Sequence, residues 1–216
     1  MTRSDSPPRL WLGPLQGACA TSLSDQERAW GRQLPPPVRR RYWQSRSALR
    51  QWLAGMLGCA PSALPLHSPP GRPPLLLEEA GWVSLSHSGE GLLLGFSRAP
   101  IGVDLEPADR PVAAAALMRR CFPPPEVVQL QAFDAELRGA AVLTSWVLKE
   151  AAIKWQRRSL ARELSCWRLD HASGRLRHQA EGLEPECSTG TAAGWRWAGV
   201  GAGMRNAGLD VVISGA

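Results

Sequence analysis

Two stretches, IGVDLE at residues 101–106 and SWVLKEAAIKW at residues 145–155, decide how this chain is organised. In the first, Ile101, Val103 and Leu105 alternate with Gly102, Asp104 and Glu106. Successive strand residues point to opposite faces, so the spacing predicts a strand that anchors by its apolar side and carries both carboxylates on the other. In the second, Trp146, Glu150 and Lys154 fall at successive i+4 positions, which places them on one helix face. The helix is expected to run from about Arg138 to Arg158. A strand followed by a long helix, each bearing acidic groups, makes this second part of the chain the seat of the chemistry.

Working outward, the first part repeats the ingredients without the carboxylates. Ser24 followed by Glu27 is a capping-box spacing and predicts a short helix over residues 24–34, stopped by Pro35–Pro37. A longer helix is expected from Val38 to Leu57. Val38, Tyr42, Leu49, Trp52, Leu53 and Met56 mark its apolar face, and Gly58 is the stop. Arg46 and Arg50, four apart, project from one side of it. Residues 61–74 hold six prolines and must be extended or loop-like. Runs 82–88 and 92–97 read as a hairpin across Gly89–Gly91. Residues 107–125 are mixed, with a loop over 110–122 and a break at Pro123–Pro125. The tail reads as strands over 164–170, 175–178, 194–200 and 209–214. Each half thus holds one long helix and several strands. The expected fold class is α+β, with an N-terminal half over 1–100 and a C-terminal half over 101–216, although no sequence repeat is visible.

Composition narrows the function classes. The chain has 216 residues, 44% hydrophobic and 20% charged, the balance of a folded domain rather than a disordered one. No apolar run approaches the roughly 18 residues that span a bilayer, and the first residues lack a signal-peptide core, so a soluble cytoplasmic protein is expected. The five cysteines are scattered with no CxxC pair, which suggests neither disulfides nor a zinc site. A net charge of +6 suits acidic partners. Of the 25 basic residues only Lys149 and Lys154 are lysine, and they fall within six residues of each other. Lysine differs from arginine as a compact point charge able to exchange a proton.

Asp104 and Glu106 read either as a solvated strand edge or as hard oxygen ligands suited to Mg²⁺, with Glu150 as a third. A cation so held, flanked by lysines, suits phosphoryl oxygens. His87 stands among serines in SLSHS (84–88), and Arg72 lies beside Gly71 in the proline-rich loop. No GxGxxG, P-loop or GxSxG motif occurs, so dinucleotide folds, P-loop NTPases and serine hydrolases are not indicated. The ten tryptophans read as packing.

Taken in order, GRP (71–73), SLSHS (84–88), IGVDLE (101–106) and WVLKEAAIK (146–154) resemble the 4′-phosphopantetheinyl transferases of the Sfp-like type. The resemblance covers about residues 38–158. It implies a pseudo-twofold α+β monomer with its active site between the halves. The implied reaction moves the phosphopantetheine arm of coenzyme A to a serine of an acyl or peptidyl carrier protein, with Mg²⁺, releasing adenosine 3′,5′-bisphosphate. By motif position Asp104, Glu106 and Glu150 match metal carboxylates, and Lys149 and Lys154 match lysines near the diphosphate. Ser86 and His87 match a phosphate-contacting segment, and Arg72 matches the basic residue near the adenine and 3′-phosphate. Arg46, with Arg50 as a companion, matches a helix arginine for the 3′-phosphate. Glu150, Lys154 and His87 would carry the catalysis. The segment with Leu117, Met118, Arg119, Arg120 and Phe122 would dock the acidic carrier; nucleic acid and membrane are not expected partners. The chain departs from the pattern in KEA instead of KES, and in Trp155-Gln156-Arg157-Arg158 where a glycine-containing continuation is usual. The competing reading is a non-catalytic basic module that binds nucleic acid or an acidic protein, which would explain the charge but not the ordered acids.

Overall fold

Ser24 opens the first helix as its spacing requires. Its Oγ accepts the Glu27 N–H at 3.2 Å, while the Ser24 N–H donates to Glu27 Oε2 at 3.1 Å. In the computed structural model, which describes residues 6–17, 19–77 and 79–212, this helix is α1 (Asp25–Arg32). It follows strand β1 (Arg9–Pro14) and leads into α2 (Pro36–Leu57). Proline at the first helical turn costs no hydrogen bond, because that N–H has no partner in the helix. Gly58, at φ +68°, ends α2 in the left-handed conformation. Two short pairs follow: β2 (Leu66–His67) with β3 (Leu75–Leu76), then β4 (Trp82–Ser88) with β5 (Gly91–Ser97).

The second half repeats that order with α3 and α6 added. Strand β6 (Ile101–Pro107) leads through α3 (Ala114–Cys121) and α4 (Pro124–Gln131) into α5 (Ala135–Gln156). After the single turn α6 (Leu160–Glu163) come the pairs β7 (Trp167–Asp170) with β8 (Arg175–His178), and β9 (Cys187–Ala192) with β10 (Trp195–Gly201). In the first sheet β1 pairs with β5 and β5 with β4; in the second β6 pairs with β10 and β10 with β9. The two halves therefore share one connectivity, a pseudo-twofold α+β fold. Strand β11 (Gly208–Val211) crosses back and adds to β1 in parallel, so the end of the chain completes the sheet of the beginning.

The layers run helix, sheet, sheet, helix. Leu49 and Leu53 of α2 pack on Val83, Leu92 and Leu94. Leu10, Leu12 and Leu93 of the first sheet meet Ile101, Val103 and Leu105 of the second. Val147, Leu148, Ala151 and Ala152 of α5 pack on Ala198, Val200, Trp167, Leu169 and Leu176. Burying such side chains is worth about 1.5–3 kcal/mol each, which makes these three cores the main source of stability.

Several expectations are revised. The segment expected as a docking loop over 110–122 is mostly the helix α3, because Ala114–Ala116 and Leu117 are strong helix formers. Met118 and Phe122 turn inward, to a core with Leu130 and Val142. The strands β1 and β9 escaped the sequence reading: RLWLGP follows Pro7–Pro8 and itself ends on Pro14, and CSTGTA carries no apolar alternation. The end of the strand expected over 209–214 lies outside the described residues. Among the described residues no helix is long and apolar enough to cross a membrane.

Candidate active site

Strands β4 and β6 are the edge strands of their sheets, and they face each other across the boundary between the halves. The period-two spacing of Ser84, Ser86 and Ser88 turns all three hydroxyls toward β6. Ser84 Oγ accepts the Val103 N–H at 3.1 Å, Ser86 Oγ donates to Asp104 Oδ1 at 2.7 Å, and Ser88 Oγ donates to Glu106 Oε2 at 2.7 Å. Sequence reasoning singled out Ser86 as a phosphate contact. The structure shows it holding Asp104 and Lys154, and adds Ser88, whose signal was its place two residues on.

Helix α5 reaches the same spot because β6 carries Gly102. A Cβ there would lie 2.0 Å from the Ala151 carbonyl oxygen and 2.4 Å from the Trp155 nitrogen, so only glycine allows this contact. The close approach brings Lys154 over β6. Its Nζ donates to Asp104 Oδ1 at 2.6 Å and to Ser86 Oγ at 3.0 Å. Asp104 is only 2% exposed, and its Oδ2 has no hydrogen-bond partner. Glu150, one turn before Lys154, has its carboxyl pushed up to about 7. Burial is the main cause and the Asp104 charge the next; Lys154 works in the opposite direction.

A buried aspartate oxygen without a partner, beside a carboxyl that resists ionising, is what a cluster short of positive charge looks like. Asp104, Glu106 and Glu150 are hard oxygen donors, and they fit a divalent cation such as Mg²⁺. Lys154 on Asp104, and Arg110 on Glu106, neutralise part of that charge. Glu106 is drawn toward Arg110 and Ser88, which leaves the trio open. Among the described residues only Glu163, Cys166 and His178 bring three metal-binding groups within 4.8 Å of one another. There the histidine is engaged at both nitrogens: Nε2 lies 2.9 Å from Glu163 Oε2, and Nδ1 accepts the Glu181 N–H at 3.2 Å. That cluster ties α6 to β8.

Beside Lys154 opens a cavity of about 650 Å³, whose walls include Arg46, Gly71, Arg72, Ser84, Lys154 and Arg157. Arg46 comes from α2 and is 6% exposed, yet it forms no ion pair among the described residues. Its guanidinium lies 5.0 Å from the Tyr42 ring centroid and touches the Ser68 carbonyl at 3.5 Å. Burial lowers its pKa. A buried cation without a carboxylate, facing a cavity, is prepared for an anion. Arg72 sits in the stiff loop at the wall, after Gly71 at φ +71°. His87 remains at the surface. Partial desolvation is the main cause that lowers its pKa, and the charges of Arg41, Arg46 and Lys154 add to that.

Two expected site residues are elsewhere. Arg50 is 1% exposed and bound to Glu27 at 2.5 Å, with further hydrogen bonds to the carbonyls of Pro61, Leu64 and Leu66. Lys149 is fully buried, 2.7 Å from Glu126 Oε2 and 3.8 Å from the Phe122 ring centroid. Neighbouring helix positions point about 100° apart, and here Lys149 turns to Glu126 while Glu150 turns toward Asp104. Both cations hold their helices in place, and neither is available to a phosphate.

Residues 100–198 match the sequence profile of the 4′-phosphopantetheinyl transferase superfamily. A protein of Synechocystis sp. named "Putative 4′-phosphopantetheinyl transferase" is 35% identical over 156 residues, covering 68% of this chain. The chain spans 63% of the length of that relative. The region matched by the profile holds the β6 carboxylates and the Glu150–Lys154 turn of α5. With that agreement between profile, relative and geometry, the chain belongs to the 4′-phosphopantetheinyl transferase superfamily.

Proposed function

We propose that the chain is a phosphopantetheinyl transferase of the Sfp-like type, a holo-acyl-carrier-protein synthase. It moves 4′-phosphopantetheine from coenzyme A to a serine of an acyl or peptidyl carrier protein and releases adenosine 3′,5′-bisphosphate. The observation that carries this reading is Lys154: it holds Asp104 of the acidic trio and also lines the cavity that contains Arg46. One residue thus joins a cation site to an anion site, as cleavage of a diphosphate requires.

In this reading residues 1–100 supply most of the coenzyme A pocket, and residues 101–216 supply the acids and the carrier surface. Arg46 and Arg72 take the 3′-phosphate end, and neutral His87 donates a hydrogen bond to a phosphate oxygen. Asp104, Glu106 and Glu150 would hold the Mg²⁺, which when bound supplies positive charge for the phosphoryl oxygens. Glu150, with a carboxyl poised near neutrality, accepts the proton of the carrier serine. The serine oxygen bonds to the phosphorus of the pantetheine phosphate as the phosphoanhydride bond breaks. The electron pair leaves on the nucleotide phosphate, where Lys154 stabilises it. Ser86 keeps Asp104 and Lys154 in register.

The carrier surface is α3 and the groove behind it. Arg119 and Arg120 are exposed, while Leu117 joins Arg110, Val112, Leu143 and Trp146 around a cavity of about 250 Å³. Met118 and Phe122 support this surface from the core. The test is the intact mass of an apo carrier protein after incubation with the chain, coenzyme A and Mg²⁺, with and without EDTA. A metal-dependent gain of one phosphopantetheine is expected. No gain across fatty-acid, polyketide and peptide carriers would refute the reading.

A further inference from the structure

Helix α5 ends on a residue that does not suit its backbone. Arg157 has φ +56° and ψ +37°, the left-handed conformation, and the turn is closed by the Arg158 N–H donating to the Ile153 carbonyl at 3.1 Å. Helix α2 makes the same stop with Gly58, which meets no steric cost there. A side chain with a Cβ is strained in this region, and such strain persists where the surroundings or the function demand that side chain.

The Arg157 guanidinium lies over Trp82, 4.4 Å from the ring centroid. Trp82 begins β4, so the stack joins the end of α5 to the opposite half of the molecule at the wall of the 650 Å³ cavity. Among the described residues Arg157 forms no ion pair, and its side chain makes no hydrogen bond. The next residue, Arg158, is paired with both Glu163 and Glu181. Stacking covers a face of the guanidinium plane, but its five N–H donors lie in the plane and stay free. An oriented, unpaired cation in a cavity shared with Arg46, Arg72 and Lys154 suits a multiply charged anion such as a phosphate.

We propose that Arg157 is a phosphate-binding residue of the coenzyme A pocket, held in position by Trp82 and taking the place of the usual helix-ending glycine. The proposal rests on the coenzyme A reading above. A purely structural alternative gives the stack no role beyond joining the halves. Arg157→Gly separates the two, because it removes the guanidinium and also relieves the backbone. Coenzyme A binding is measured by titration calorimetry on the full chain, beside thermal unfolding, for the wild type, Arg157→Gly and Arg157→Asn. Asparagine tolerates the left-handed conformation and covers the case in which glycine loosens the turn.

The expected result is coenzyme A binding weaker by about tenfold in both variants, the loss of one charge-assisted contact. The melting temperature should be unchanged or higher, and the difference should narrow as salt is raised. Trp82→Leu should give a smaller loss in the same direction. If both arginine variants bind coenzyme A as tightly as the wild type, the role assigned to Arg157 is wrong. If the wild type itself does not bind coenzyme A, the functional reading fails first and takes this assignment with it.

Discussion

Helices α2 and α5 each run 22 residues, and each packs against the strands of its own half. Each buries a cation at the same step along its length, Arg50 in α2 and Lys149 in α5, and each cation is held by a buried glutamate of the preceding short helix, Glu27 or Glu126. The offset from Glu27 to Glu126 is the offset from Arg50 to Lys149, and again from Gly58 to Arg157. What differs at equivalent steps is the chemistry. Where α5 has Glu150 and Lys154, α2 has Gln51 and Gly55; where α2 has Arg46, α5 has the buried Ser145. Within these two helices the buried charges that recur at equivalent steps are paired scaffold, whereas Arg46 and Lys154, each present in one helix only, line the cavity of the candidate site.

The largest effect is expected from making α5 resemble α2 at one position. Glu150→Gln should lower the transfer rate by at least about 10³-fold, in the range of losing a catalytic proton acceptor. The melting temperature should stay level or rise, because a buried carboxyl beside Asp104 and Glu106 is gone. Gln51→Glu, the converse change in α2, should leave the rate near wild type; a comparable fall would break the comparison.

Next come the scaffold pairs. Lys149→Met strands Glu126 and should cost about 3–5 kcal/mol in urea unfolding, with Arg50→Met in the same range for Glu27. Adding Glu126→Leu or Glu27→Leu to the matching variant should recover most of the loss. If Lys149→Met left stability intact and weakened coenzyme A binding, Lys149 would belong to the site after all.

Smaller effects sharpen the division of labour. Arg46→Ala should weaken coenzyme A binding by about tenfold, the loss of one charged contact. The double variant Arg119→Glu, Arg120→Glu should raise KM for the carrier by a similar factor, through like-charge repulsion, with coenzyme A binding unchanged. The Glu150 carboxyl must lose its proton to hold a cation, and without one it does so only near pH 7. Mg²⁺ affinity should therefore rise by about tenfold per pH unit on the acid side and level off above about pH 7. In the metal-free protein the sign is opposite. The folded state keeps this proton above the ordinary glutamate pKa and the unfolded chain does not, so Glu150 contributes less stability as pH rises toward 7. A melting temperature in the Mg²⁺-free protein that responded to Glu150→Gln equally at pH 5 and pH 8 would remove the basis for both statements.

Much of this was legible in the sequence. The capping box at Ser24, the stop at Gly58 and the alternation of residues 101–106 each follow from a local rule, and local rules act within a few residues. Asp104, Glu150 and Lys154 were readable because strand and helix periods each place them on one face. Arg50 and Lys149 were misjudged because their partners, Glu27 and Glu126, lie 23 residues away along the chain, and no period within a single helix reveals such a pair. Comparing the halves at a fixed offset would have found both. Met118 and Phe122 looked like docking residues until α4 and α5 supplied a core for them. No repeat is visible in the sequence because the symmetry survives in connectivity and in a few buried charges, while most other residues differ between the halves.

The most direct test is the intact mass of an apo carrier protein incubated with coenzyme A and Mg²⁺, run in parallel with the wild type and with Glu150→Gln. The account predicts one phosphopantetheine added by the wild type and none by the variant over the same period, both proteins being folded. Equal modification by the two, or none by a wild type that binds coenzyme A, would contradict it.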